Sequence, residues 1–409
     1  MYFLVLILGT VPGPVLPASD STLTLAAAHA LALERNPRIR AARSAVAAAE
    51  AGVRQAGAAR DPQVVFAREQ TGETAWQNTA LIDQPIELFG QRSSRARSAR
   101  ARVGVAEQAL AATTRAVQSE VSVAFAAAQT AERQMTLADS LLAAFRRAET
   151  ILEARLREGD ASGYEVRRLR LEAARYLGTR AEAESRRTEA LGSLDLLLGR
   201  HASDPPIRPV GGFRIEPPGL TRDSLARLAA GSDGRAAVAA AAAEAARFDL
   251  IRLRRERIPV ISLGLGYMEV RSGSADRASG YLAQLSLPVP LWGSRGSAVA
   301  AGTAEAERLN ALADEAAAVA RRDALTAADR AQALARHHSA LQSRLGAEAA
   351  VSLNAAEVAF SDGEMTLIEW LDAMRAHYEA AALEAGLVAE FVARMAELER
   401  LTGLTLIAR

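Results

Sequence analysis

Two short segments decide the fold of this chain: residues 84–92 read QPIELFGQR, and residues 287–295 read LPVPLWGSR. They align at an offset of 203 residues, with a proline, a leucine, an aromatic residue, a glycine and an arginine in the same order. Three further pairs of segments agree at nearly the same offset: 61–62 with 258–259, 157–160 with 361–364, and Leu197 and Gly199 with Leu401 and Gly403. This agreement predicts an internal duplication.

The placement of proline outlines the helices, because proline breaks a helix interior. No proline lies between Pro85 and Pro205 or after Pro290, and these stretches are rich in the helix formers Ala, Leu, Arg and Glu. Helices are therefore expected in both repeats, at about 36–60, 91–157 and 163–199, and again at about 234–257, 294–360 and 365–402. A first repeat at 22–200 and a second at 220–404 are joined by a Pro/Gly-rich linker at 201–219.

The Pro-bounded segments, 61–90 and 258–293, are predicted to form β-hairpins. Ile261, Leu263, Leu265 and Tyr267 alternate with small or polar residues, which is the period of a strand with one apolar face. About ten alternating residues match a tilted membrane strand, so we expect these four side chains to face lipid. Residues 281–287 repeat the alternation, and residues 64–66 and 81–86 do so more weakly.

Two hairpins give four strands per chain, and an open strand edge is not tolerated in lipid. At least two or three protomers are therefore expected to share one barrel. The alternative from the residues alone is a pair of ordinary hairpins that cap a soluble helical rod. Both long and short helices carry seams of apolar residues spaced three and four apart, which are typical of lateral helix packing: residues 117–145 and residues 371–395.

Composition excludes several classes of function. The chain has 409 residues, a net charge of +1 and no cysteine, so disulfides, thiolate metal sites and cysteine nucleophiles are excluded. The balanced charge argues against a nucleic-acid partner. No phosphate loop, His-Glu-x-x-His or Gly-x-Ser-x-Gly motif is present, and we predict no catalytic, cofactor or metal residues. The five histidines, which are His29, His201, His337, His338 and His377, are interpreted as solvated helix residues.

The N-terminal residues 1–19 are predicted to be a secretory signal peptide. Residues 2–8 form an apolar run too short to span a bilayer, followed by a turn-rich stretch. A buried N-terminal strand is the alternative. Without a cysteine after this run, the mature protein is not expected to be lipidated.

Taken together, these features give the chain a layout that resembles the TolC family of outer-membrane factors, over about residues 22–404. The resemblance is carried by the duplication, by Leu23-Thr24-Leu25 with Asn36-Pro37, by the segments 84–92 and 287–295, and by Gly363 followed by residues 367–373 (LIEWLDA). It implies a mainly α fold with a membrane β part, assembled as a homotrimer with a 12-stranded β-barrel and a 12-helix periplasmic α-barrel. The layout is nearest to the CzcC-like branch for heavy-metal and drug efflux.

The resemblance also implies a function. The protein would be the passive exit duct of a tripartite efflux pump or type I secretion system, located in the outer membrane. Its partners would be a periplasmic adaptor (membrane fusion protein), an inner-membrane pump of RND or ABC type, and outer-membrane lipid. The rival hypotheses are a periplasmic coiled-coil adaptor or scaffold without a barrel, and a secreted enzyme.

Two groups of site residues follow from the same resemblance. Glu369 and Asp372 match acidic positions that line the narrow periplasmic aperture, and Glu165 and Arg168 occupy the equivalent places in the first repeat. The alternative is an ordinary solvated helix start, where acids favour the dipole. The breaks at Gly159-Asp160 and Asp362-Gly363 would be tips that face the adaptor, or else simple turns.

Overall fold

The structure is a computed structural model that describes residues 21–70, 75–201, 203–217, 219–272, 276–289 and 294–407. The predicted signal peptide at 1–19 lies outside these residues. The helices in this part of the chain are α1 (Leu25–Arg35), α2 (Pro37–Gly57), α3 (Gln91–Glu158), α4 (Gly163–Leu198), α5 (Arg222–Ser232), α6 (Gly234–Glu256), α7 (Ser294–Asp362) and α8 (Leu367–Thr402). The strands are β1 (Ser21–Leu23), β2 (Gln63–Gln70), β3 (Trp76–Ile86), β4 (Ile207–Pro209), β5 (Ile261–Ser272) and β6 (Asp276–Ser286).

The order α2, β2, β3, α3, α4 recurs as α6, β5, β6, α7, α8. Each repeat thus runs from a short helix through a hairpin into a helix of 68 or 69 residues and returns through one of 36. At about 1.5 Å per residue the long helices extend about 100 Å. In the described ranges, no helix is both long and apolar enough to cross a membrane.

The helices form a layer with α3 near its middle. α2 and α4 pack along successive parts of α3 on one side, and α6 and α8 pack along it on the other. α7 packs against the far side of α6 and α8. The approach of α6 to α3 is close, because a Cβ added at Gly234 would lie 2.5 Å from the Cβ of Ala112.

One apolar core lies where the additional short elements cross the layer. β4 pairs in parallel with β1, and Ile207 of β4 is buried there. The Asn36 side chain accepts from the Arg38 amide at 2.9 Å and donates to the Leu197 carbonyl at 2.8 Å, which ties the α1–α2 corner to the end of α4. The segment 201–219 expected as a linker therefore contains a strand, and the helices α1 and α5 are additions to the elements that the sequence predicts.

The interpretation of all five histidines as solvated is wrong for His29. Its side chain is buried, and its Nε2 lies 2.9 Å from the Ser122 Oγ of α3. The imidazole thus joins α1 to the long helix. No group of His, Asp and Glu in the described residues is arranged to hold a metal ion.

The two hairpins form one antiparallel sheet in the order β2-β3-β5-β6. β3 and β5 come from different repeats and pair along their whole length, from Trp76 with Arg271 to Ile86 with Ile261. β2 and β6 are the sheet edges in the described chain. The sheet stands at the end of the helical layer where α3 and α7 begin.

Candidate functional site

One face of the sheet is apolar and exposed. The strand register places Phe66, Ile82, Leu265 and Tyr267 on the same side, because directly opposed residues point the same way. Phe66 is 79% exposed, Ile82 55% and Leu265 60% in the single chain. The β6 side chains at positions 281 and 285 continue this surface. Such an apolar face is too large to be left in water.

Three of the four predicted lipid-facing residues are exposed, and one is half-buried. Leu263, Leu265 and Tyr267 are exposed on the apolar face, and Ile261 on the same side of β5 is half-buried. On the opposite face of the sheet, a glycine of β5 packs closely against β3. A Cβ at Gly266 would lie 2.5 Å from the Cβ of the facing leucine of β3, so the strand tolerates only hydrogen there.

Aromatic rings lie midway along this face and at its hairpin end, where an arginine accompanies them. The rings of Tyr267 and Tyr281 lie 6.3 Å apart, and the Arg68 guanidinium lies 5.0 Å from the ring centre of Trp76. An apolar band bordered by aromatic residues is typical of a β-surface at a membrane interface.

The opposite end of the sheet is anchored by a carboxylate. Glu87, which follows β3, has a side chain only 6% exposed and is held by both terminal guanidinium nitrogens of Arg95, with Nη2 at 2.8 Å from Oε2. Arg60 donates to the same carboxylate at 3.2 Å. The hydrogen bond from Arg95 lowers the pKa of Glu87 below its ordinary value of 4.5, against the opposing effect of burial.

The two helical tips lie side by side at the far end of the layer. Gly159 and Gly363 end α3 and α7 with φ of +90° and +87°, a left-handed conformation that favours glycine. Arg155 of α3 donates from Nη2 to the carbonyls of Phe360 at 2.5 Å and Ser361 at 3.1 Å. One guanidinium of the first tip therefore binds carbonyls in the last turn of the second long helix, where few intrahelical donors remain.

An aromatic cluster supports these tips from inside. Phe145 contacts Tyr176 and Trp370, each with ring centres 5.2 Å apart, and Phe360 stacks on Trp370 at 5.1 Å. Residues from α3, α4, α7 and α8 thus meet in one apolar core, which fixes the two helical hairpins together.

The candidate aperture residues have clear local partners. The Glu369 carboxylate accepts from the Thr366 amide at 2.9 Å and hydroxyl at 2.7 Å, and the Glu369 amide donates back to that hydroxyl. Ser162 and Glu165 form the same reciprocal cap at the start of α4. The hydrogen bond from the Thr366 backbone lowers the pKa of Glu369 below its ordinary value.

The four candidates do not form one cluster within a single protomer. Asp372 lies 3.7 Å from Arg375 on its own helix. Arg168 is half-buried and, in the part of the chain that is described, makes no ion pair with Glu369 or Asp372. The capping role is a feature that the sequence analysis misses, although Ser-x-x-Glu at 162–165 and Thr-x-x-Glu at 366–369 carry its pattern. The contact that Arg155 makes across the two tips has no local sequence signal.

Comparisons with known proteins agree with this architecture. Residues 29–200 match the family model described as outer membrane efflux protein. The cobalt-zinc-cadmium resistance protein CzcC of Cupriavidus metallidurans is 25% identical over 400 residues, which cover 97% of this chain and 94% of that protein. A CusC structure is similar with a TM-score of 0.74 at 20% identity, covering 92% of this chain and 91% of that one. The CmeC outer-membrane channel of Campylobacter jejuni has a TM-score of 0.75 at 14% identity, covering 93% and 85%.

The fold and the apolar sheet face are those of an outer-membrane efflux channel, and the chain is similar to outer-membrane efflux proteins in sequence and in fold. In sequence, the likeness to CzcC extends over nearly the whole length of both proteins. The resemblance and the outer-membrane location expected from the sequence are confirmed, as is a mainly α fold with a β part. Family and fold are those of efflux channels rather than of enzymes.

Proposed function

We propose that the protein is the exit duct of a tripartite efflux pump and works as a homotrimer with a periplasmic adaptor and an inner-membrane pump. The observation that carries this proposal is the four-stranded sheet with free edges at β2 and β6 and one exposed apolar face. Three copies would supply twelve strands and pair every edge, as lipid requires. The long helices would continue the tube into the periplasm.

The relatives support a finer assignment of cargo. The full-length relative is a cobalt-zinc-cadmium resistance protein, so we propose heavy-metal cations as the substrate class. The duct itself would select weakly, and the pump would choose the substrate. The tips at Gly159-Asp160 and Asp362-Gly363 would face the adaptor, because they end the helical layer opposite the sheet.

We further propose that Glu369, Asp372, Glu165 and Arg168 lie near the periplasmic aperture. The two glutamates start α4 and α8 directly behind the tips, so three-fold symmetry would bring three copies of each toward the axis. Their carboxylates cap their own helices, which leaves Asp372, with an exposed side chain, as the acid best placed to act on passing cations.

A paired substitution tests the membrane placement. Leu263→Arg would place a charge on the apolar face at a cost of about 2–4 kcal/mol near the bilayer midplane and should lower the amount of trimer in the outer-membrane fraction. The matched control is Ser262→Arg on the opposite face, which should assemble and conduct in planar bilayers. Equal tolerance of both substitutions, or a purified chain with the mass of one protomer, would refute the proposal.

A further inference from the structure

Arginine is concentrated where the sheet joins the helices. Four segments meet at this junction, residues 51–61, 87–102, 247–260 and 294–304, and they contain thirteen arginines but only four carboxylates. Polar contacts across the junction show that the segments are adjacent: Arg92 donates to the Gly57 carbonyl, Arg102 pairs with Asp249 at 2.9 Å, and Arg295 donates to the Arg257 carbonyl at 2.9 Å. The rest of the chain compensates this excess, because the net charge is +1.

The carboxylates at this junction are largely occupied. Glu87 is bound by Arg95 and Arg60, and Asp249 is bound by Arg102 and Arg252. Six other arginines are exposed and, within the described residues, their guanidinium groups have neither a carboxylate within 4.0 Å nor a hydrogen-bond acceptor: Arg54, Arg97, Arg100, Arg254, Arg255 and Arg257. We name these six the arginine collar. Their positive charge is left for an anion outside the described chain.

The collar begins where the apolar face of the sheet ends. Arg254, Arg255 and Arg257 stand seven to four residues before β5 starts at Ile261. At the same end, Leu88 is 64% exposed and the neighbouring phenylalanine 46% exposed. An apolar surface, then an exposed aromatic residue, then basic residues is the order in which a protein meets the hydrocarbon, interface and headgroups of a bilayer.

We propose that the arginine collar binds anionic phospholipid headgroups in the leaflet at the helical side of the membrane. The guanidinium group suits this ligand, because its planar fork can donate two hydrogen bonds to one phosphate. Arg254 and Arg255 differ by about 100° around α6, so the collar offers donors over a broad part of the helix end. The proposal rests on the outer-membrane placement above and not on transport.

The test uses the full chain purified in detergent and titrated with phosphatidylglycerol or phosphatidylcholine, with bound lipids counted by native mass spectrometry. The variant is Arg254→Gln with Arg255→Gln and Arg257→Gln. Near an anionic surface each arginine contributes about a fivefold preference, so the variant should lose up to about 100-fold of the preference for phosphatidylglycerol at low salt. The parent's preference should itself weaken at high salt.

A matched control removes the same charge elsewhere. Arg167→Gln with Arg321→Gln and Arg336→Gln changes three exposed arginines far from the sheet and should keep the parent's lipid preference. Replacing the three collar residues by lysine keeps the positive charge and should keep most of the preference for phosphatidylglycerol. This variant provides the comparison if the glutamine variant does not assemble.

Two results would overturn the proposal. One is an unchanged lipid preference in the glutamine variant. The other is a change in anion selectivity of single-channel current without a change in lipid binding, which would place the collar in the lumen. If the protein prefers phosphatidylglycerol but does not conduct, the result contradicts the proposed channel function and still supports lipid binding by the collar.

Discussion

Arg155 should control how firmly the two helical tips are joined. Its guanidinium is a polar link from the first tip to the last carbonyls of α7, and it also lies 5.4 Å from the ring centre of Phe360. We expect Arg155→Gln to loosen the end of α7 while the aromatic cluster beneath it stays packed. The change removes the charged donor and leaves most of the apolar stem of the side chain in place.

The magnitude can be worked out from the interactions that the substitution removes. A hydrogen bond to a charged group contributes about 1.5–3 kcal/mol, and a cation–π interaction at a partly exposed site about 0.5–1 kcal/mol. The two carbonyls share one nitrogen and the site is half-exposed, so we count the hydrogen bonds once and expect a total of about 2–3 kcal/mol. Opening of the tip should then be about 30- to 150-fold more frequent.

Hydrogen exchange measures this opening directly. The amides of Glu364 and Met365 donate to the Ala359 carbonyl at 2.8 and 3.1 Å, so they report the last turn of α7. Their exchange should accelerate by that factor in Arg155→Gln. The control is Arg157→Gln, because among the described residues that guanidinium donates only to the carbonyl of residue 153 in its own helix. Equal exchange in parent and Arg155→Gln would refute the reasoning.

Three further predictions concern the junction, the helix layer and the aperture. Glu87→Gln should destabilise the protein by about 2–3 kcal/mol at neutral pH. Because the pKa of Glu87 is lowered in the folded state, this difference in stability is present above pH 4.5 and should vanish as the pH falls through the folded-state pKa. Thermal unfolding in detergent, followed as a function of pH, measures it. Gly234→Ala should destabilise by about 1–3 kcal/mol in the same assay through overpacking against α3, whereas Gly231→Ala, which meets nothing within 4 Å, should not. Glu369→Gln with Asp372→Asn should keep the trimer, since glutamine still serves the helix cap, and should change cation preference or divalent-cation block in planar bilayers; a parent-like current would leave both residues as plain helix acids.

The sequence indicates the long elements well because their ends are marked chemically. Pro85 lies at the end of the strand before α3, and the glycines Gly159 and Gly363 supply the left-handed turns that end both long helices. The alternation from Ile261 to Tyr267 predicts a strand, and β5 contains it. These signals are local, so a single sequence is enough to detect them.

The features that the sequence does not reveal depend on partners far along the chain. The prolines and glycines around β4 predict a linker without regular structure. Instead β4 pairs with β1, about 180 residues earlier in the chain, with Ser21 opposite Ile207. Likewise Arg155 looks like an ordinary basic residue in the last turn of a helix. The carbonyls that accept its hydrogen bonds are about 205 residues away along the chain, and no local sequence pattern predicts this contact.

Because of the duplication, the two tips share the same turn, but they differ in the contacts that hold each turn in place. Both return helices start with the same reciprocal cap, so each hairpin closes itself in the same way. Around that shared turn the repeats diverge: Phe360 is buried against Trp370, whereas Leu156, its counterpart at the offset of 204, is 41% exposed. The link from Arg155 also runs in one direction, because Ala359 holds the equivalent place in the second repeat and cannot donate from its side chain. The second tip is therefore held by the first within one protomer, while the first tip keeps an apolar surface open. In the trimer proposed above, that surface is the part of the first tip that is free to contact a neighbouring protomer or the proposed adaptor.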